Sequence, residues 1–380
     1  MKSSADVVII GSGVIGCAIA YYLAKKGCRN IVLLDKNFLT SGSTGRSGGG
    51  VRLQFGLEMN VKLAGQSIEH FENLSEELNS DIGFIQSGYL MLSYDDRTAR
   101  QLEKNVQLER SLGYDVKLLT PNDAKKMAPA LDTSLIKNAS FHHRDGYVDP
   151  YKLTYSYAEA AQRLGVEINP FTEVIGIKKE EHRIISVETT NGSIQTNTVV
   201  NAAGAYSSDV AKLAGVAIPT YNEKHEILLS EPMERFISTM LVNVTGGVCV
   251  QQFPNGRVMI ETCIDHEKTY SLEPNPKFAE QAIRAGKLMV PRIESLRMTG
   301  QWTGLYNMTP DGQPIFGGVN EVEGFYLAVG FCGIGLMLSP MTGILMSEFI
   351  LDNTEAHTEI KKLDYKRFER GELLMEPTVV

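Results

Sequence analysis

The sequence predicts an α/β protein, α+β overall: a Rossmann-type nucleotide-binding domain joined to a domain built on an antiparallel sheet. Three observations predict it. A continuous apolar run over 7–10 enters Gly11-Ser12-Gly13-Val14-Ile15-Gly16, a helix follows over 17–26 and closes at Gly27, and a second apolar run over 31–34 ends at Asp35. That is a βαβ unit whose strands are buried on both faces. Beyond residue 221 the strand candidates turn alternating, as in a sheet with two unlike faces. Over 325–329 the buried-strand style returns, so the first domain is assembled from separated segments. We assign 1–85, 145–218 and 320–380 to it, and 86–144 with 219–319 to the second, substrate-facing domain.

Between these landmarks, helices are expected over 60–78, 96–112, 153–164 and 276–288. Thr120 followed by Pro121 marks a capped helix start. Strands are expected over 174–178, 184–189 and 192–196, with Asn191-Gly192 as the hairpin turn. Further strands are expected over 198–201, 226–230, 247–252 and 258–262. The 325–351 segment is apolar enough to resemble a membrane span, but Gly330, Gly333, Gly335, Pro340, Gly343 and Glu348 interrupt it; a buried strand, a Gly turn and a buried helix explain it better.

With 380 residues and 43% hydrophobic composition, the chain can bury a sizeable core. A net charge of −8 without a basic block excludes nucleic acid as the main partner. The five cysteines, Cys17, Cys28, Cys249, Cys263 and Cys332, are odd in number, scattered and without a CxxC pair. Reduced thiols in a cytoplasmic protein, with no metal site, are expected. No secretory leader is expected, because the first apolar run is short and ends in glycines. His142 and His143 have no third ligand nearby, so no metal is assigned to them.

The Gly11–Gly16 turn predicts a dinucleotide. Gly11 permits the tight turn, Gly13 admits the pyrophosphate, and Gly16 lets strand and helix approach. The helix N-terminus, with Val14 and Ile15, offers N–H groups and partial positive charge to phosphates. Asp35 suits ribose hydroxyls and disfavours a 2′-phosphate. Just beyond it, the loop over 41–50 holds Ser43, Thr44, Arg46, Ser47 and Gly49; it reads as a strap along an extended cofactor or as a plain flexible loop. The turn Gly330-Phe331-Cys332-Gly333-Ile334-Gly335-Leu336 reads as a helix start aimed at a flavin or as close backbone packing. Together these stretches indicate FAD.

The motifs GSGVIG, LLDK, GSTGRSGGGVR, VVNAAGAYS, WTGLYNMTPDGQPIFG and AVGFCGIGLMLSP span the chain. They resemble the D-amino-acid-oxidase-like superfamily of FAD amine oxidoreductases. Within it, Asn222-Glu223-Lys224-His225 and the stretch over 365–373 resemble the β subunits of dye-linked L-proline dehydrogenase and heteromeric sarcosine oxidase. The resemblance implies oxidation of a C–N bond by hydride transfer to flavin, with cofactor contacts also at Lys36, Val174, Ala203, Gly204 and Gly304. Gly304 stands where related enzymes tether FAD through Cys, implying non-covalent FAD. The region 149–152 lacks the His that carries covalent FMN, although FMN at a subunit interface remains implied. The resemblance implies an α-type partner subunit, and the tail over 365–380, charged, then apolar and without a helix cap, is expected to lie on it.

Four residues are candidates on the substrate side. Arg52 aligns with a carboxylate-binding Arg, and reads otherwise as a structural ion pair. His225 suits substrate bonding or a structural role. The Tyr306 hydroxyl suits a substrate carboxylate, or the ring packs in the core. Glu261 aligns with the Lys that activates oxygen in oxidases, which implies a dehydrogenase. The substrate class is an amino acid or secondary amine such as proline, hydroxyproline, sarcosine or an opine-like compound. The competing readings are a stand-alone glycine- or sarcosine-type oxidase and a non-catalytic FAD-binding scaffold.

Overall fold

The computed structural model describes residues 1–262, 267–352 and 361–378. Cys263 and the last two residues of the tail lie outside them. Two large sheets organise the chain. In the first, five strands run parallel in the spatial order Val322–Val329, Val199–Asn201, Val7–Ile10, Ile31–Leu34 and Glu167–Asn169. The strand Ile315–Val319 pairs antiparallel with Val322–Val329. The meander Val174–Glu180, Arg183–Thr189 and Gly192–Gln195 joins the same edge; its second hairpin turns at Thr190-Asn191, one residue before the expected Asn191-Gly192, because Gly192 already pairs with Thr189.

The first helix spans Val14–Lys25, so it starts three residues earlier than expected and Gly16 lies inside its first turn. Val14 through Ala24 are buried. A helix apolar on all sides must be covered on all sides, and it packs between the sheet and the helices Pro150–Arg163 and Ser339–Leu351. At the latter crossing a Cβ on Gly343 would come 2.9 Å from the carbonyl oxygen of Ala18, so glycine permits the approach.

The second sheet has eight strands in the order Met298–Met308, Tyr221–Ser230, Val258–Thr262, Val248–Gln252, Met240–Asn243, Tyr89–Ser93, Asn138–His142 and Lys117–Leu119. Neighbours are antiparallel except Met240–Asn243 with Tyr89–Ser93. One face packs Leu90, Leu92, Leu241, Val250 and Ile260 under the helix Phe278–Met289. The other carries Tyr89, Met91, Ile227, Met240 and Met259. Sequence patterning misses the strands Tyr89–Ser93, Asn138–His142, Lys117–Leu119 and Met240–Asn243. Apolar runs such as Tyr-Leu-Met-Leu, buried on both faces, lack the alternation that marks a strand.

Thr120 caps its helix, accepting from the Asp123 N–H at 3.3 Å. No helix among the described residues is long and apolar enough to cross a membrane. One further expectation needs correction. The helix after Gly330–Leu336 begins only at Ser339, so no helix N-terminus forms at Gly333. The described part of the tail makes contacts with its own chain. Asp364 caps a short 3-10 turn over Tyr365–Arg367, Arg367 is buried in a forked pair with Asp311 at 2.8 and 2.9 Å, and Glu376 accepts from the N–H groups of Gly56 and Leu57 at the start of helix Glu58–Glu77. Arg367 finds its countercharge 56 positions away in Asp311, whereas Arg370 pairs locally with Asp364 and Glu372.

Candidate active site

A cavity of about 690 Å³ runs between the two sheets, within the range of small-molecule sites. One end is the βαβ unit. Gly11 takes φ +110°, and a Cβ there would sit 2.3 Å from the Ala202 carbonyl oxygen. A Cβ on Gly16 would sit 1.9 Å from the Gly11 carbonyl oxygen, so only bare backbone lets this turn and helix meet. The helix cap residue Gly13 has no capping side chain of its own. Instead Thr44 reaches over from the Gly-rich loop, and its Oγ1 accepts from the Val14 N–H at 3.1 Å. This cradle of backbone and hydroxyls at a helix N-terminus fits a pyrophosphate.

Asp35 closes that end. Its Oδ2 accepts from the Ser12 N–H (2.7 Å) and Oγ (2.9 Å), and its Oδ1 from the Asn37 N–H (2.8 Å). A carboxylate offers about four lone-pair directions, which leaves capacity for a ribose hydroxyl. The Lys36 ammonium lies 3.1 Å from the centroid of the Tyr206 ring, forming a cation–π lip that sequence reading missed.

The loop over 41–50 is fixed, not flexible. Its Thr44–Arg46 segment is a 3-10 turn. The chain's one tryptophan donates from Nε1 to the Arg46 carbonyl at 3.0 Å, and Ser43 Oγ donates to the Leu305 carbonyl at 2.6 Å. Both bonds reach the strand Met298–Met308, where a Cβ on Gly304 would come 3.3 Å from the Arg46 Cβ. Asn307 ties that strand to the next wall: its Oδ1 accepts from the Gly330 N–H (2.9 Å) and its carbonyl from the Cys332 N–H (3.0 Å).

Gly11, Gly13, Val14, Ile15, Asp35, Lys36, Ser43, Thr44, Arg46, Ser47, Val174, Ala203, Gly204, Gly304, Gly330, Gly333, Gly335 and Leu336 all line the cavity. Three expected cofactor residues do not. Gly16 acts behind the wall through helix packing. Gly49, at φ +79°, presses its backbone on Val148, where a Cβ would sit 2.2 Å from the carbonyl oxygen. The Ile334 side chain packs on the hydrophobic core. Cys332 also lines the cavity, and burial pushes its thiol up to about 11.

At the far end, His225, Glu261 and Tyr306 come together. The His225 and Tyr306 rings stack at 3.6 Å with an 11° interplanar angle. The Tyr306 hydroxyl donates to Glu261 Oε1 at 2.8 Å, so it is engaged by a protein carboxylate. The Tyr306 ring lies on the turn at Gly333, where a Cβ would come 2.2 Å from Cε2. Burial raises the Glu261 carboxyl above its ordinary value, and the Tyr306 hydrogen bond opposes this. Arg52, the fourth candidate, does not line the cavity. It is buried, its Nη1 donates to the Gln54 carbonyl at 2.8 Å, and its guanidinium lies 4.2 Å from the Phe55 ring centroid. His142 is a buried partner of Asp145, with Nδ1 2.7 Å from Oδ1.

Comparison with known proteins agrees with this geometry. The sequence model of the family described as "DAO: FAD dependent oxidoreductase" matches residues 6–349. Sarcosine oxidase subunit beta of Rhizobium meliloti (strain 1021) is 31% identical over 381 residues, covering 99% of this chain and 91% of its own length. L-proline dehydrogenase from P. horikoshii superposes with a TM-score of 0.94 at 33% identity, over 98% of this chain and 100% of that one. Glycine oxidase from Geobacillus kaustophilus superposes with a TM-score of 0.88 at 26% identity, over 96% and 99%. With a nucleotide cradle at one end of the cavity, a titratable wall at the other, and a match along most of its length, the chain belongs to the DAO family of FAD dependent oxidoreductases.

Proposed function

We propose that this chain is the amine-oxidising subunit of a heteromeric, cytoplasmic dehydrogenase, working with an α-type partner. Its substrate is an amino acid or secondary amine of the proline, hydroxyproline, sarcosine or opine-like class. The observation that carries this is one continuous cavity joining the Gly11–Gly16 turn to the His225–Tyr306–Glu261 wall. In this reading, residues 1–85, 145–218 and 320–380 hold the cofactor, and 86–144 with 219–319 hold the substrate. FMN at the interface with the partner belongs to the same reading.

Bound FAD supplies a two-electron acceptor for the C–H bond beside the substrate nitrogen. The chain's own part is positioning. The Thr44, Ser43 and Arg46 loop fixes one wall against the strand Met298–Met308. The flat His225–Tyr306 stack limits how the substrate lies. In this reading Glu261 takes the place that an oxygen-activating Lys holds in related oxidases, as the resemblance implies. A carboxylate does not stabilise forming superoxide, which supports electron transfer to an acceptor other than oxygen.

The test is anaerobic bleaching of the flavoprotein by proline, hydroxyproline, sarcosine, glycine and opines, with and without the partner. Bleaching by a member of this panel, with little hydrogen peroxide formed in air, is expected. If no amine bleaches the flavin the reading fails. Stoichiometric peroxide from the isolated chain would instead identify a glycine- or sarcosine-type oxidase.

A further inference from the structure

Glu261 lies in the strand Val258–Thr262 and faces the cavity. Its Oε1 is held by the Tyr306 hydroxyl. Its Oε2 faces the backbone of Gly48, where a Cβ would come within 3.1 Å. Its cross-strand neighbours are Cys249 and Ile227. His225 lies behind the Tyr306 ring, and Arg52 and Tyr89 act on the same cluster from further along the sheet face. Among the described residues no cation pairs with this carboxylate, and its surroundings act on it chiefly by removing water. Burial pushes the Cys249 thiol and the Tyr306 hydroxyl well up, so neither competes for a proton in the range where a carboxyl titrates.

A buried carboxylate without a cation demands a positive charge or a proton. An amine substrate brings both. With a pKa near that of lysine, about 10, it arrives as an ammonium ion at neutral pH. An ammonium nitrogen has no lone pair with which to support loss of hydride from the neighbouring carbon. Resting on the amine-oxidising reading above, we propose that Glu261 is the base that takes the proton from the substrate's ammonium nitrogen. The N–H bond breaks, its electron pair stays on nitrogen, and an O–H bond forms on Oε2. In a water-poor site the resulting neutral pair is favoured over two buried charges. Tyr306, bonded to Oε1, fixes the carboxyl and leaves Oε2 to take the proton. The proton returns to solvent when the product leaves.

The assignment has a readout independent of turnover. N,N-dimethylproline carries a cation but no N–H, so it pairs with Glu261 yet gives it no proton. Binding it must therefore expel any proton that Glu261 carries in the free protein. Calorimetry of the flavoprotein in buffers of different ionisation enthalpy should show proton release on binding that grows as pH is lowered. E261Q should release none at any pH, and its anaerobic flavin reduction by the amine that bleaches the wild type should slow by about 10²-fold, the usual worth of a general base. E261D, should E261Q lose its flavin, retains the release with a shifted midpoint. No release from the wild type, or wild-type behaviour in E261Q, overturns the assignment. Release that persists in E261Q but vanishes in His225→Gln overturns it in favour of the imidazole. Failure of every amine to bleach the wild-type flavin refutes the functional reading. Bleaching without proton release refutes the Glu261 assignment alone.

Discussion

Replacing Arg367 with Met removes the positive half of a fully buried ion pair. Arg367 forks onto Asp311 through Nε (2.8 Å) and Nη2 (2.9 Å), and its remaining N–H groups hold the carbonyls of Gln313 and Leu363. Breaking one side of such a pair costs about 3–5 kcal/mol, because the other charge stays buried. Asp311 would keep the Gln313 N–H, the Thr309 hydroxyl and the Leu374 N–H, at 3.1, 3.1 and 3.2 Å. Three surviving donors put the cost at the lower end, near ~3 kcal/mol. An unfolding entropy of roughly 2.1 cal/mol/K per residue gives about 0.8 kcal/mol/K for 380 residues, so Arg367→Met should melt roughly 4 °C below the wild type at equal flavin saturation. The pH dependence follows from the same pair. Burial pushes the Asp311 carboxyl up, but the Arg367 hydrogen bond and charge outweigh it and leave the folded value below the ordinary one. Stability from Asp311 is therefore present above the ordinary carboxylate value of about 4 and lost as pH falls through the folded value. Arg367→Met should lose that acid-side component. A melting point within about 1 °C of the wild type, by circular dichroism at neutral pH, would refute the reasoning.

Three further outcomes are expected. Gly16→Ala would place a methyl 1.9 Å from the Gly11 carbonyl oxygen; it should weaken FAD retention at least about tenfold by moving the helix N-terminus off the phosphates, measured by flavin fluorescence after gel filtration. Glu109 is buried with no hydrogen-bond partner on either oxygen, and burial first, then the charge of Asp145, pushes its carboxyl up to about 8. The folded state holds that proton where the unfolded state has lost it, so stability falls as pH rises from the ordinary value toward 8, and Glu109→Gln should flatten that decline in a pH series of urea melts. Glu376→Gln leaves one oxygen for the two N–H groups at the start of the helix Glu58–Glu77 and weakens its match to the helix dipole. The expected loss is about 0.5–2 kcal/mol of stability with flavin content unchanged.

The βαβ unit was legible because its strands are buried on both faces and its glycines stand at fixed offsets. The same burial hid the strand Tyr89–Ser93: Leu90 and Leu92 pack under one helix, while Tyr89 and Met91 pack with Ile227, Met240 and Met259 on the opposite face. Asn138–His142 was hidden differently. Asn138, Ser140 and His142 suggest an exposed face, yet all three are buried, bonded to Ser93, Gln54 and Asp145. Local sequence states polarity; it does not state which distant partner satisfies it. The tail's contacts with its own chain were hidden for that reason, since Asp311 stands 56 positions before the arginine it pairs with.

The same limit governs the active site. Arg52 drew its expected role from its place after a Gly-rich loop, but the segment it sits in is clamped. Gly50–Val51 pairs with Gly146–Tyr147, and Asp145 Oδ1 accepts from the Leu53 N–H at 3.1 Å. That clamp fixes the backbone, and the guanidinium turns to Gln54 and Phe55 rather than to the cavity. The loop before it, which the sequence reads as a cofactor strap or a plain flexible loop, is pinned by Trp302 and Ser43 to the strand that carries Tyr306. The residues that hold the nucleotide end and those that present the Glu261–Tyr306–His225 wall are therefore joined through one strand. A change at Trp302 that loosens the loop should disturb both ends together, whereas a change at Glu261 should act on the amine alone.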